Sequence, residues 1–522
     1  MNVQHLIQRA VKEYSDRTAI VYKNTRRTFG DLNKRVNCLA NGLLSLGIKK
    51  GDRVGMLLKN CIEFIEIDFA LSKSGIVRVP LNARLTGADH EYMLNDSGAN
   101  TLIFGEGFTD VVKTIAPSLK KVEKWIYVSE GLEKEHSYQL DYEQLIKGSP
   151  SGEPTGEITE EDLHTLFYTS GTTGKPKGAM LTQKSWANVA INLVLDYGPM
   201  TENDVILNTQ PLSHGAGFFV LPYFIRGGTN VLIPEFKPSL VFETIEREKV
   251  NVLKLVPSML YQLMEASEKT QYDLSSLHSI IYGGSPIAVP RLIEAVKYFG
   301  KKLVQLYGQG EVPMCITTLS RRDHIIEGPE EVIKRLSSAG KPCLNVEVKV
   351  VNEDGKDLCP REVGEVIVRG YHMMKGYWNL PEATSEVIRD GWVYTGDLGY
   401  FDSKGYLFLV DRRRDVIISG AFNIYPKEIE DVIVTHPKVK EVTVIGVPDE
   451  KWGEAVKAIV VPKEGAQIRG QEIIDYCRDH MASFKKPKSV DFVKELPRNP
   501  YGKVQKTALR DLYWAGYERK IH

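Results

Sequence analysis

The chain has 522 residues, of which 42% are hydrophobic and 26% charged, the composition of an ordinary globular protein and not of a disordered or collagenous one. Lys+Arg 67 balances Asp+Glu 67, so the formal net charge is +0 and the electrostatic footprint of a general nucleic-acid binder is missing; no nucleic-acid partner is expected. The 6 cysteines are scattered without CxxC or Cys/His ligand spacing, which argues against a disulfide framework or zinc knuckle and fits a reducing, cytoplasmic compartment.

At roughly 150 residues per domain the length allows three or four domains or subdomains. The N-terminus places Val3, Leu6, Ile7, Ala10 and Val11 on one helical face, with Glu13 and Asp16 following at once, a packing helix and not a signal peptide. From Thr28 to Val128 helical and strand-like runs alternate: a helix through Leu32, Val36, Leu39 and Leu43, then RVGMLL, a helix through Phe64 and Phe69, IVRVPLN, a helix near Tyr92, and TLIF. Such alternation predicts a mainly parallel sheet covered on both faces. The pattern returns from Val205 to Tyr307 with VILNTQ, TNVLIP, VLKLVP, SIIYGG and KLVQLYG as strands, so two related α/β layers are expected. No stretch approaches the roughly 20 uninterrupted apolar residues of a membrane span, and no integral membrane segment is expected.

Between Val346 and Val410 the texture changes to short strands separated by turn residues, a β-rich subdomain. A charge cluster, Asp411-Arg412-Arg413-Arg414-Asp415, follows, and then a helix, two strands, a helix and a strand that suffice for a small α+β domain. The predicted organisation is α/β, with a large domain over residues 1–411 and a small, mobile one over 412–522.

The strongest chemical signal is Tyr168 to Gly178, YTSGTTGKPKG. Bare glycine backbone, Ser/Thr hydroxyls and two lysines make a loop that can surround a polyphosphate. It is not the Walker loop, because Gly171 and Gly174 are too close together and Lys175 is followed by Pro176. No GxGxxG opens a helix after a strand, and Ser285 in GGSPI lacks the closing glycine of a nucleophile elbow.

YTSGTTGKPKG resembles the signature of the adenylate-forming superfamily of acyl-CoA synthetases, peptide-synthetase adenylation domains and luciferases. Further elements matching that family follow in order: PLSHGAG (211–217), YGGSP (282–286), YGQGE (307–311), GYWNLPEAT (376–384), GWVYTGD (391–397), DRRRDVIISGAFNIYPKEIE (411–430) and PRNPYGKV (497–504). The layout is closest to a free-standing fatty-acid CoA ligase. The resemblance implies an ATP-dependent acyl-CoA ligase that activates a carboxylic acid as acyl-AMP and transfers the acyl group to CoA, with ATP and CoA as substrates, Mg²⁺ as cofactor, and a monomer or homodimer.

Carried over residue by residue, the resemblance implies that Thr169, Ser170, Gly171, Thr172, Thr173, Gly174 and Lys177 hold the β- and γ-phosphates, and that Glu311 is the Mg²⁺ ligand. Gly283, Gly284, Ser285, Tyr307 and Gly308 would form the adenine slot, while Asp397 and Arg412 reach the ribose. Lys503, in the PxxxxGK setting, would be the catalytic lysine at the α-phosphate, and Arg414 the hinge about which the small domain turns between half-reactions. His214 would lie between the acyl site and the approach of the thiol, with Ala216, Gly308, Gln309 and Met314 lining an apolar acyl tunnel deepened by Gly215 and Ala216. That depth favours a medium- or long-chain fatty acid, with an aryl or branched acid as an alternative that also fits the tunnel. A ligase loading a carrier protein is the alternative, and retention of Lys503, Glu311 and Asp397 argues against a non-catalytic binding protein.

Two positions depart from the family. Gly310 stands where most relatives have a threonine contacting the α-phosphate, and Ala421 where many have a second glycine lining the pantetheine channel. Gly310→Thr is expected to change adenylation within about tenfold, the scale of one hydrogen bond.

Overall fold

A computed structural model describes residues 1–129, 140–169, 175–266, 271–419, 422–498 and 504–515. Seven strands form the first sheet, in the order Leu140–Asp141, Lys124–Val128, Thr101–Gly105, Arg53–Leu57, Val77–Pro80, Leu163–Thr169 and Lys177–Thr182, parallel except for the last pair. The second has nine: Lys341–Pro342, Thr317–Leu319, Leu303–Tyr307, Ser279–Gly283, Val252–Leu255, Val205–Asn208, Thr229–Leu232, Thr18–Tyr22 and Thr25–Thr28. Its centre is parallel and both edges are antiparallel. The two alternating blocks are therefore two sheets, but the chain does not divide cleanly between them. The hairpin Thr18–Thr28 pairs beside Thr229–Leu232 in the second sheet.

One core fills the space between the two sheets. It joins Val54, Met56, Ile103 and Phe167 of the first sheet to Ile206, Val252, Ile281 and Leu306 of the second. The helix Ile62–Ser74 runs through this core and is buried on every side, as a helix with no solvent-facing stripe must be. Its three buried charges are all paired: Glu66 with Arg35 at 2.6 Å, Asp68 with Arg78, and Lys73 with Glu153 at 2.6 Å. Removing one partner of such a pair costs about 3–5 kcal/mol, because the other charge is left uncompensated in low dielectric. Outer cores lie beneath Pro238–Glu248, Pro257–Glu265 and Val289–Phe299 on the second sheet, and beneath Gly87–Ser97 and Thr109–Ile115 on the first.

The β-rich region is an antiparallel sheet of Glu347–Val351, Gly364–Arg369, Trp392–Phe401, Ile388–Arg389 and Leu407–Arg412. Its last strand ends at Arg412, in register with Asp397. Beyond it, Ile417–Ser419, Phe422–Ile424, Val439–Asp449, Gly453–Pro462 and Ser489–Phe492 form a separate sheet, packed by Pro426–Ile433 and Gly470–His480 on one core and by Lys506–Trp514 on another. Among the described residues no helix is long and apolar enough to cross a membrane.

Candidate active site

The phosphate-loop motif joins two neighbouring strands of the first sheet. Leu163–Thr169 and Lys177–Thr182 form a hairpin in which Thr169 pairs with Lys177. Ser170, Gly171, Thr172, Thr173 and Gly174 lie outside the described residues, as do Lys503 and Ala421. At the base, the Thr169 hydroxyl donates to Glu311 Oε1 at 3.0 Å, and the Tyr377 hydroxyl donates to the same oxygen at 2.8 Å. Lys177 Nζ stands 5.1 Å from the centre of the Tyr377 ring. Burial and the neighbouring Glu311 raise the Tyr377 phenol above its ordinary range, so it remains a donor.

Tyr377 lies within GYWNLPEAT, where nothing in the sequence pattern gives it a role of its own. Its position follows from backbone pairing: Met180 N donates to Gly376 O, Lys375 N to Met180 O, and Trp378 N to Gly178 O, each at 2.8 Å. Met374 N donates to Glu311 O, also at 2.8 Å, so this segment carries both Glu311 and the hairpin. Glu311 Oε2 accepts no hydrogen bond from the described residues, which leaves one hard anionic oxygen of the kind Mg²⁺ prefers.

A second cluster surrounds Asp397, which is 7% exposed. Its Oδ2 accepts from the Tyr307 hydroxyl at 2.6 Å and from Gln309 Nε2 at 2.7 Å, while Arg412 Nε lies 3.3 Å from Oδ1. The attraction of Asp397 raises the Arg412 guanidinium further, and burial raises Tyr307, so both stay protonated donors. Gln309 also donates to Thr395 O at 3.0 Å. The Gln309 amide is thus engaged at the Asp397 carboxylate. The opposing strands Trp392–Phe401 and Leu407–Arg412 bring Asp397 and Arg412 together through their register.

Phe167 connects these groups to the loop at 211–217. Its ring stacks on His214, with centroids 5.4 Å apart and planes 14° from parallel, and meets Phe218 edge-on. Ala216 is fully buried in the central core. A side-chain carbon on Gly308 would stand 2.5 Å from Met314 N, so Gly308 is required for close backbone packing, and Met314 holds a left-handed φ of 63°. Beside Gly215 the expected apolar tunnel meets polar atoms: a Cβ there would lie 3.1 Å from Gln210 Oε1 and 3.5 Å from Lys254 Nζ. The Gly284 turn has φ 86°, and Gly283 and Ser285 flank it at the end of Ser279–Gly283.

Gly310 is explained by space. A Cβ at that position would come within 2.1 Å of Thr169 Cγ2, and could be admitted only by turning Thr169 away from the geometry in which its hydroxyl meets Glu311. A threonine at this position would likewise have to displace the Thr169 side chain. The charge cluster also resolves into two sets of ties. Arg413 reaches Glu365 at 3.3 Å and Glu353 at 3.5 Å, whereas Arg510 of the last described helix donates to Arg414 O at 3.2 Å and pairs with Asp415 at 2.8 Å.

The model of a family described as AMP-binding enzyme matches residues 7–378, and that of the AMP-binding enzyme C-terminal domain matches 428–503. The chain is 37% identical to the medium/long-chain-fatty-acid–CoA ligase FadD8 of Mycobacterium tuberculosis, covering 99% of this chain and 91% of the relative. It is 37% identical to a feruloyl-CoA synthase of an Amycolatopsis species, covering 94% and 95%. The crystal structure of ATP-bound MatB from Rhodopseudomonas palustris superposes with a TM-score of 0.87 at 30% identity, covering 99% of this chain and 100% of that one.

Proposed function

The chain belongs to the AMP-binding enzyme family and is an AMP-forming acid–thiol ligase, and from that premise we propose that it activates a medium- or long-chain fatty acid as acyl-AMP and passes the acyl group to CoA. The observation that carries this reading is the Glu311 carboxylate, held by Thr169 and Tyr377 at the base of the phosphate loop with Lys177 alongside. The likeness to FadD8 supports the fatty acid, and the likeness to a feruloyl-CoA synthase keeps an aryl acid as the alternative.

In this reading Thr169, Ser170, Thr172, Thr173 and Lys177 hold the β- and γ-phosphates of ATP while the acid carboxylate attacks the α-phosphorus and pyrophosphate leaves. Glu311 is the residue that would hold Mg²⁺, through the oxygen its two hydroxyl donors leave open. The ion, when bound, neutralises charge on the phosphates. Asp397 and Arg412 hold the ribose: Oδ1 of Asp397 has acceptor capacity left, since its two neutral donors are both on Oδ2. Lys503 stabilises the charge that grows on the α-phosphate. His214, kept in plane by Phe167, stands between the acyl group and the thiol. The small domain, carrying Lys503, turns at Arg414 to exchange one half-reaction for the other. A cytoplasmic setting is supported by six cysteines of which none is in a disulfide.

Pyrophosphate release over a panel of fatty, branched and aryl acids, repeated with and without CoA, tests the proposal. CoA-dependent thioester from a fatty acid is the expected result, and pyrophosphate release that no acid elicits would sink it. At Gly310, Gly310→Ala is expected to slow acyl-AMP formation about 10- to 100-fold through overpacking against Thr169. Thr169→Ser removes the obstructing methyl and keeps the hydroxyl, so the double variant should recover most of the rate; no recovery would show that Gly310 matters for another reason.

A further inference from the structure

Four cationic side chains are buried among the described residues: Lys73, Arg78, Lys254 and Arg510. Lys73 is paired with Glu153, Arg78 with Asp68 and Arg510 with Asp415. Lys254, 3% exposed, has no carboxylate partner among the described residues; its Nζ donates to the neutral Gln210 Oε1 at 2.8 Å. Burial, with no acid to offset it, pushes the ammonium down to about 7.

The position of this group is set by strand geometry. Lys254 lies near the carboxyl end of the parallel strand Val252–Leu255, the end of an open α/β sheet at which ligands bind. Leu253 and Leu255 face the outer core, while Val252 faces the central core that also contains Phe167, Ala216 and Phe218. By the two-residue period of a strand Lys254 shares the face of Val252. Its ammonium therefore stands against Gly215, next to His214, so close that a Cβ on Gly215 would lie 3.5 Å from Nζ. In the same loop Ser213 is 5% exposed and its hydroxyl has no hydrogen-bond partner among the described residues.

We propose that Lys254 is a specificity-determining residue that pairs with a second carboxylate on the acyl substrate, so that among the acids the ligase accepts, one carrying a second carboxylate is preferred over its methyl-ended counterpart. This deepens the ligase reading and rests on it. One carboxylate attacks the α-phosphorus of ATP and displaces pyrophosphate; the other stays unreacted and supplies the counter-charge that folding does not. Two of the three ammonium hydrogens remain for it once Gln210 has taken one. A methyl-ended acid would leave the buried ammonium without a counter-charge, the circumstance in which discrimination by a polar site is strongest.

The test compares matched acids of equal length, one ending in methyl and the other in carboxylate, from short to long chains and including an aryl pair, with full-length enzyme. In at least one pair the carboxylate-ended acid should be preferred in kcat/KM by about 100-fold, and Lys254→Met should abolish that preference while leaving the methyl-ended acid as good or better. Preference for the methyl end in every pair overturns the proposal. So does an equal loss on both members in a folded Lys254→Met variant, which would make Lys254 a support for the loop alone. If Lys254→Met does not fold, Lys254→Arg replaces it: keeping the charge should keep the carboxylate preference, and loss of that preference with the methyl-ended acid unaffected counts against the pairing. If no acid forms a thioester, the ligase reading fails, and calorimetric binding of the same pairs to wild-type protein decides this one: tighter binding of the carboxylate-ended member supports it, and equal or weaker binding overturns it.

Discussion

Lys503→Ala is expected to lower acyl-AMP formation about 10³-fold while leaving thioester formation from supplied acyl-AMP within about twofold of wild type. The asymmetry follows from where charge develops. As the carboxylate attacks, negative charge accumulates on the α-phosphate oxygens, and an ammonium delivered only in that state lowers the barrier without tightening the ground state. In the second half-reaction the thiol attacks a carbonyl and AMP leaves as a formed phosphate, so the same lysine has little to stabilise. Lys503 itself lies outside the described residues, but the chain around it is anchored. Arg498 pairs with Val504, Gln505 N donates to Pro497 O at 2.8 Å, and Leu496 and Val504 pack into the small-domain core. Removing the side chain should therefore leave the loop base in place, and loss of both half-reactions to the same degree would overturn the assignment.

Arg414→Pro is expected to retain one half-reaction and lower the other by about 10²-fold or more, whereas Arg414→Ala should stay within about threefold of wild type in both. The ties on either side of this residue divide between two layers. Arg413 is held by Glu365 and Glu353 of the β-rich region, and Arg510 of the last helix holds Arg414 O and Asp415. A rotation of the small domain is taken up most easily where those ties change over. Proline fixes φ near −65° there and removes the freedom to exchange states, while alanine removes only side-chain contacts. Rates of the two half-reactions, measured separately on variants shown to be folded by circular dichroism, check this. Alanine as damaging as proline would make Arg414 a binding residue and move the pivot elsewhere in the segment 411–415.

Local pattern was enough for the elements and for the family. Alternating runs such as RVGMLL and VLKLVP name their strands because burial on both faces of a parallel sheet demands continuous apolar residues, and eight motifs in order carry the likeness to adenylate-forming enzymes. Tertiary structure alone decided which strands are neighbours: Thr18–Tyr22 pairs with Thr229–Leu232, a contact far apart in sequence that no local period encodes. It also decided that Tyr377 shares Glu311 with Thr169, that the Gln309 amide donates to Asp397, and that glycine at 310 has little room beside Thr169. Lys254 shows the division most sharply. In the sequence it is one polar residue in an apolar strand, and only the folded chain establishes that its ammonium is buried beside Gly215 with a neutral amide as partner, because a missing counter-charge is a property of everything packed around a group and not of the residues next to it in the chain.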